Sequence, residues 1–270
     1  MSLQARCIPT SPDVEHYRRL RWLAKVLNHK IVKTVPREAI HEIGDALGIL
    51  QDGALVFGTK NDPDVLMDCC LYDWIRNGKN IVKAYAEDHP PVPGTEEGEL
   101  LQAYLQAKYR VVMPQTRVRG AGVQVVDLLS TEQFFLMDVG ISESPLGIAY
   151  ATRTIPLQGY WITGGAGLPT GQVGITRAIN RLRKKRLLVD GRFSDIHQAT
   201  LLFVRTLLAE GVSQHIRYVD TDGAVSRQSR GPGERTNGPG LAASPSGPSR
   251  NSSCPCGSGK RYKRCCGARG

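Results

Sequence analysis

The apolar residues of this chain change period sharply at Tyr109. Before it, Tyr17, Leu20, Leu23, Val26, Leu27 and Ile31 recur at the spacing of one helix face. From it onward, "YRVVMPQTRVRGAGVQVVDLLSTEQFFLMDVGISESPLGIAYATRTIPLQGYWITGG" is dense in valine, isoleucine, threonine and aromatic residues, broken every few positions by glycine or proline. Side chains of those types fit a pleated surface, so the stretch predicts short antiparallel strands forming a small sheet or barrel. The fold class expected is α+β: a helical N-terminal region, a β-rich middle and two further helices.

Local signals place the elements. Residues 11–108 read as helical, with Ser11 as a cap and Pro12 at the first helical position. Pro36 opens a second helix whose face is Ile40, Ile43 and Leu47. Asp62-Pro63 repeats the start signal ahead of Val65, Leu66, Cys69, Cys70 and Trp74. "HPPVPG" at 89–94 is a loop, and Thr95 caps a helix bearing Leu100, Leu101, Tyr104 and Leu105. In the β-rich part, 109–170, glycines 120, 122, 140, 147, 159, 164, 165 and 167 suit bends or bulges. The helical period returns over 173–210. One helix runs from Val173 to Leu188 on Ile175, Ala178, Ile179 and Leu182. Another is capped by Ser194 and turns Ile196, Leu201, Val204 and Leu208 inward.

The globular body is therefore expected over 1–221, and 222–252 reads as a disordered basic linker of Gly, Pro, Ser, Arg and Asn. Such a composition cannot bury enough apolar surface to offset the entropy of ordering. The chain has 270 residues and a formal net charge of +10. From Gly223 onward nine basic residues face one acid, a net +8, which leaves +2 for the first 222 residues. No run approaches the roughly 18–20 apolar residues of a membrane span, and the start lacks the apolar run of a signal peptide. The expectation is a soluble, cytoplasmic protein in a reducing compartment.

Four of the seven cysteines crowd into "CPCGSGKRYKRCCG", residues 254–267. The spacing is Cys-x-Cys, eight residues, then Cys-Cys. Eight residues reach about 28 Å when extended, ample to bring the two pairs together. Gly257 and Gly259 permit a tight reversal beside the first pair. In a reducing compartment clustered thiols point to metal, and four thiolates close a structural zinc site. A module this short has almost no core, so the metal must supply its folding energy. The intervening lysines and arginines favour thiolate and offset the negative tetrathiolate centre. Iron accepts the same donor set.

These residues closely resemble the SEC-C motif, which ends the bacterial preprotein translocase motor ATPase and many uncharacterised bacterial proteins. The match occupies 253–268. The resemblance implies one zinc per chain, held by Cys254, Cys256, Cys265 and Cys266. Position 266 is cysteine where the motor commonly has histidine. The motor's tail contacts an export chaperone and the ribosome, which suggests an acidic protein surface or the ribosome as partner here. Lys260, Arg261, Tyr262, Lys263 and Arg264 would make the contacts. In the body, "GAGVQVVDLLSTEQFFLMD" is similar in style to segments of other uncharacterised SEC-C proteins.

Other chemistry is not legible. A P-loop fails because Cys254 and Arg261 stand where glycine and Ser/Thr are needed around Gly259-Lys260. "GGAGLPTG" at 164–171 lacks the glycine spacing of a dinucleotide loop, and Pro169 argues for a turn. There is no Gly-x-Ser-x-Gly elbow and no His-Glu-x-x-His helix. The histidines pair with neither one another nor a cysteine at metal spacing, so surface or helix-end positions are expected. Cys69-Cys70 reads as two small core residues. "RLRKKR" at 181–186 reads as a solvated face at a helix C-terminus. The preferred reading is a non-enzymatic bacterial adaptor. The alternatives are a nucleic-acid-binding protein using the basic tail with RLRKKR, and an enzyme whose site lies in the body.

Overall fold

Asp13 starts the first helix: its Oδ1 accepts the backbone N–H of His16 at 2.8 Å. The cap expected at Ser11 is thus taken by Asp13, where the carboxylate meets the free N–H groups of the first turn. The computed structural model describes residues 13–142, 146–189 and 192–210, all within one unit of the chain, residues 1–215. The expected linker and knuckle lie outside the described residues.

Helix α1 (Val14–Val32) is followed by α2 (Arg37–Leu47), with Pro36 at its N-cap as expected. A two-stranded hairpin, β1 (Leu50–Gln51) and β2 (Ala54–Leu55), turns through Asp52 and Gly53 at φ 49° and 79°. Two consecutive positive φ angles make the turn that suits strand twist, and Asp-Gly is the pair that tolerates it. Helices α3 (Asp62–Asp73), α4 (Ile81–Asp88) and α5 (Glu96–Tyr104) follow. Sequence periodicity missed α4, which is only eight residues long; Asn80 caps it by accepting from Lys83 N–H at 2.9 Å. Thr95 caps α5 as expected, accepting from Gly98 N–H at 3.0 Å.

Next come β3 (Lys108–Val118), β4 (Gly122–Asp127), β5 (Gln133–Met137), a single turn α6 (Val139–Ser142), β6 (Ala149–Pro156) and β7 (Trp161–Thr170). They close into a barrel in the order β3-β4-β5-β7-β6, with β6 returning to β3. All pairs are antiparallel except β5 with β7, joined in parallel at Leu136 and Trp161. This is a five-stranded Greek-key barrel of OB type. Pro169 does not make a turn: it sits inside β7, opposite Tyr150. The glycines divide by role. Gly120, Gly147, Gly159 and Gly165 have positive φ. Gly122 is needed for closeness instead: a Cβ there would stand 2.2 Å from the Leu136 carbonyl oxygen on β5.

The chain ends its described part with α7 (Gln172–Lys184), a small hairpin β8 (Leu188–Val189) and β9 (Arg192–Phe193), and α8 (Ile196–Glu210). α7 stops four residues before the expected Leu188. Asp195, not Ser194, caps α8: its Oδ1 accepts from His197 and Gln198 N–H, while Ser194 Oγ bonds the Arg186 carbonyl. Ile196, expected inside, is exposed at the first position of that helix.

Three apolar clusters hold these elements together. Val112, Val123, Val125, Phe134, Leu136 and Trp161 fill the barrel. Phe135, Met137, Ile155 and Ile162 face outward and pack under α1, α4 and α5. Val111, Ala149, Ala151, Ala166 and Leu168 face outward on another side, beneath α2, α3, α7 and α8. Strands with helices outside and a packed barrel inside must be apolar on both faces, which is why β6 is buried along most of its length.

Candidate functional site

The metal and partner residues read from the sequence, Cys254, Cys256, Cys265 and Cys266 with Lys260, Arg261, Tyr262, Lys263 and Arg264, lie outside the described residues. In the body, Cys69 and Cys70 are fully buried free thiols, as expected of core residues. Burial pushes the Cys70 thiol up to about 12 and the Cys69 thiol well above its ordinary value, so both stay protonated. "GGAGLPTG" is strand rather than phosphate loop. RLRKKR closes α7, with Leu182 buried and the five cations exposed.

Sequence reasoning missed a buried ionic cluster. Arg153 projects outward from β6 toward α3. Its Nε and Nη2 donate to Asp68 Oδ2 at 3.1 and 3.0 Å, and Nη2 donates to Asp73 Oδ2 at 2.6 Å. The guanidinium lies over the rings of Tyr72 and Tyr109, at 4.5 and 5.1 Å from their centroids. His197, in the first turn of α8, reaches Asp73 Oδ1 through Nδ1 at 3.2 Å. One barrel strand and two helices are thereby tied at one point. Burial lifts the Asp68 carboxyl above its ordinary value even though Arg153 pulls it down. Burial also works against the Arg153 charge, but Asp68 and Asp73 more than offset that and keep it protonated. Asp68, Cys69 and Asp73 present donor atoms within 4.8 Å of one another, a spacing that could hold a metal. Here the Arg153 guanidinium meets both carboxylates. The cluster is therefore a clamp between layers.

A second buried arginine lies inside the barrel. Arg110 on β3 stacks on Phe134 and Trp161, 4.8 and 4.7 Å from their centroids. It pairs with Asp127 at 3.2 Å and with Glu132 at 2.8 Å. Its Nε is buried with no partner among the described residues.

Barrels of OB type take oligonucleotides or oligosaccharides on the outer face of their second and third strands, between the loops joining strands one to two and four to five. In this chain those are β4, β5 and the loops 119–121 and 157–160. Phe135 and Met137 of β5 and Ala121 of the first loop belong to the cluster under α1, α4 and α5, with Leu157 and Tyr160 packed against it. Much of the usual ligand face is thus filled by the chain's own helices. Beside it a groove of about 710 Å³ stays open, walled by Leu20, Pro91, Pro93, Leu100, Pro156 and Leu157, with His16, Glu99 and Tyr160 as its titratable groups. The Tyr160 hydroxyl is buried with no partner among the described residues, and burial raises its pKa. The groove has the volume and apolar walls of a small-ligand site.

The profile of a family of unknown function (DUF7986) matches residues 11–184, more than half of the chain. The chain belongs to that family. The match takes in the helical layers, the barrel and α7. The SEC-C motif matches residues 250–268, around the four-cysteine cluster. No curated protein and no solved structure matches the chain. Among the described residues no helix is long and apolar enough to cross a membrane.

Proposed function

We propose that this member of the family is a non-enzymatic bacterial adaptor, cytoplasmic in location, whose body carries a metal-ordered docking knuckle. The single observation behind the reading is the SEC-C motif at 250–268. Its donor set is Cys254, Cys256, Cys265 and Cys266, four soft thiolates that suit zinc and also accept iron. One metal per chain would order the knuckle, with an apparent binding energy of about 10–16 kcal/mol by analogy with small finger peptides. The peptide between the cysteine pairs then presents Lys260, Arg261, Tyr262, Lys263 and Arg264 to an acidic protein surface, such as an export chaperone's, or to the ribosome. Residues 222–252 act as a tether with an r.m.s. reach of about 30 Å, which raises the effective concentration of whatever the knuckle captures.

The test has two readouts. Metal analysis of the purified full chain should return about one zinc, lost in Cys254→Ser and Cys265→Ser; a metal-free wild type overturns the reading. Cobalt substitution should give thiolate-to-metal absorption bands. Affinity capture with wild type and with Cys254→Ser should then differ by one acidic protein or by ribosomes. Identical captures refute the docking role while leaving the metal site standing.

A further inference from the structure

Helix α7 is backed on one side only. Ile175, Ala178 and Leu182 are buried in the core with residues of α8. Gly174 is buried beside them, and at about 100° per residue the remaining positions sweep about half of the circumference, exposed apart from the half-buried Ile179 at one margin. Val173, Thr176, Asn180 and Lys184 run along the middle of that arc, and Arg181 and Arg183 lie on its two flanks. Val173 is 67% exposed, unusual for an apolar side chain in a helix. The arc borders a shallow depression lined by Gln172, Val173, Thr176, Asn180 and Lys184 among others.

The charge is concentrated here. Residues 171–193 hold seven basic side chains and one acid, Asp190, a net +6, whereas the rest of the first 222 residues carries −4. Arg177 pairs with Glu210, and Arg181 Nη1 reaches Thr206 Oγ1 at 3.3 Å. Among the described residues no ion pair forms to Arg183, Lys184, Lys185 or Arg186. Arg186 sits at φ 57°, in the left-handed position after the helix, where Leu187 N–H bonds the Leu182 carbonyl and Arg186 N–H the Arg183 carbonyl. Glycine is the usual residue there. A side chain is disfavoured in that conformation, and the residue there is a cation at the end of the ridge.

We propose that the exposed face of α7 docks in the major groove of duplex DNA. A helix about 10–12 Å across fits a groove about 12 Å wide. An amide (Asn180), a hydroxyl with a methyl (Thr176), an apolar group (Val173) and a lysine (Lys184) are the side-chain types that read base edges. Arg181 and Arg183, on the flanks, meet the phosphates of the two groove walls. Single strands fit less well, because they are held by stacking on aromatic rings and this arc carries none. A-form RNA offers only a deep, narrow major groove. An anionic membrane would need an apolar stripe, and the arc has one large apolar residue, Val173. The surface belongs to the body and is independent of the metal knuckle.

The test uses the full chain and a labelled duplex DNA of about 20 bp, two helical turns. Arg181→Gln/Arg183→Gln/Lys184→Gln should lower affinity at least about tenfold and make the log–log salt slope shallower by about 1.8, near 0.9 for each of the two lost phosphate contacts. Its melting temperature should change little, since all three residues are exposed and Thr206, which loses Arg181, keeps its bond to the Leu202 carbonyl. Arg261→Gln/Lys263→Gln/Arg264→Gln removes three of the tail's nine cations and must leave that difference between α7 wild type and variant in place. Asn180→Ala should keep the slope yet change the base preference selected from a random duplex pool. The proposal fails if the α7 variant binds duplex DNA with unchanged affinity and slope. It fails equally if the wild type binds single-stranded DNA, duplex RNA or phosphatidylserine vesicles at least as tightly.

Discussion

Arg110 and Arg153 are buried to the same depth, each 4% exposed, and they do different work. Arg110 is a local device. Its partner Asp127 lies 17 residues on in the same barrel and has donors of its own, Leu129 N–H and Ser130 Oγ. Its other acid, Glu132, is 42% exposed and keeps its water. Arg153 joins layers whose residues are 80 and 85 positions apart, and both of its acids are buried. Among the described residues Asp68 has no other donor, and Asp73 has only His197 besides. What a buried arginine contributes thus depends less on its own burial than on whether its partners could do without it.

The largest expected effect follows from that contrast. Arg153→Leu leaves two buried carboxylates facing each other, and equilibrium denaturation at neutral pH should show a loss of about 3–5 kcal/mol. Burial already raises the Asp68 pKa, and losing the guanidinium raises it further. A carboxyl whose folded pKa exceeds its unfolded value, about 3.9, favours the fold below that value and loses the advantage as pH rises through the folded one. The deficit of Arg153→Leu should therefore shrink on acidification, and Asp68→Asn added to it should recover part of the loss. A pH-independent deficit would mean that lost packing, not stranded charge, is the cause.

Arg110→Met comes next, at about 1–3 kcal/mol, because it removes ring contacts worth about 0.5–2 kcal/mol while Asp127 keeps its other donors. A loss equal to that of Arg153→Leu would erase the contrast. His197→Ala should cost about 1 kcal/mol by thermal melting, one hydrogen bond to Asp73 from a ring that is 38% exposed. Smallest of all, deletion of residues 223–270 should change body stability by less than about 0.5 kcal/mol. The two arginine substitutions should show the same difference in the truncated chain as in the full one.

Much of the body was legible because it is written locally. The 3.6-residue recurrence of Tyr17, Leu20, Leu27 and Ile31 marks α1, and all four are buried. Pro36, Asp62-Pro63 and Thr95 mark the starts of α2, α3 and α5. Where two cap residues competed, as Ser194 and Asp195 do, adjacency in sequence could not say which side chain turns toward the helix. Helix α4 escaped notice since its apolar face is one turn long. A better reading of "QDGA" and "RNGK" would have found two tight reversals, at Asp52-Gly53 and Asn77-Gly78, both with positive φ. The ionic clamp was not legible. Asp68 and Asp73 look like ordinary helix acids, and Arg153 looks like one cation in a β-rich run.

Two things about this protein were decided by residue order alone: the kind of each main element, and the four-cysteine cluster that carries the SEC-C motif. Hydrophobic period, capping and ligand type act over a few residues, so the order of residues suffices for them. The tertiary structure alone decided that the strands close as β3-β4-β5-β7-β6, that helices cover much of the barrel's usual ligand face, and that Arg153 sits between Asp68 and Asp73. Those outcomes depend on contacts between residues far apart in the chain, chosen by how apolar faces and buried charges are satisfied together, and no short window of sequence contains both partners.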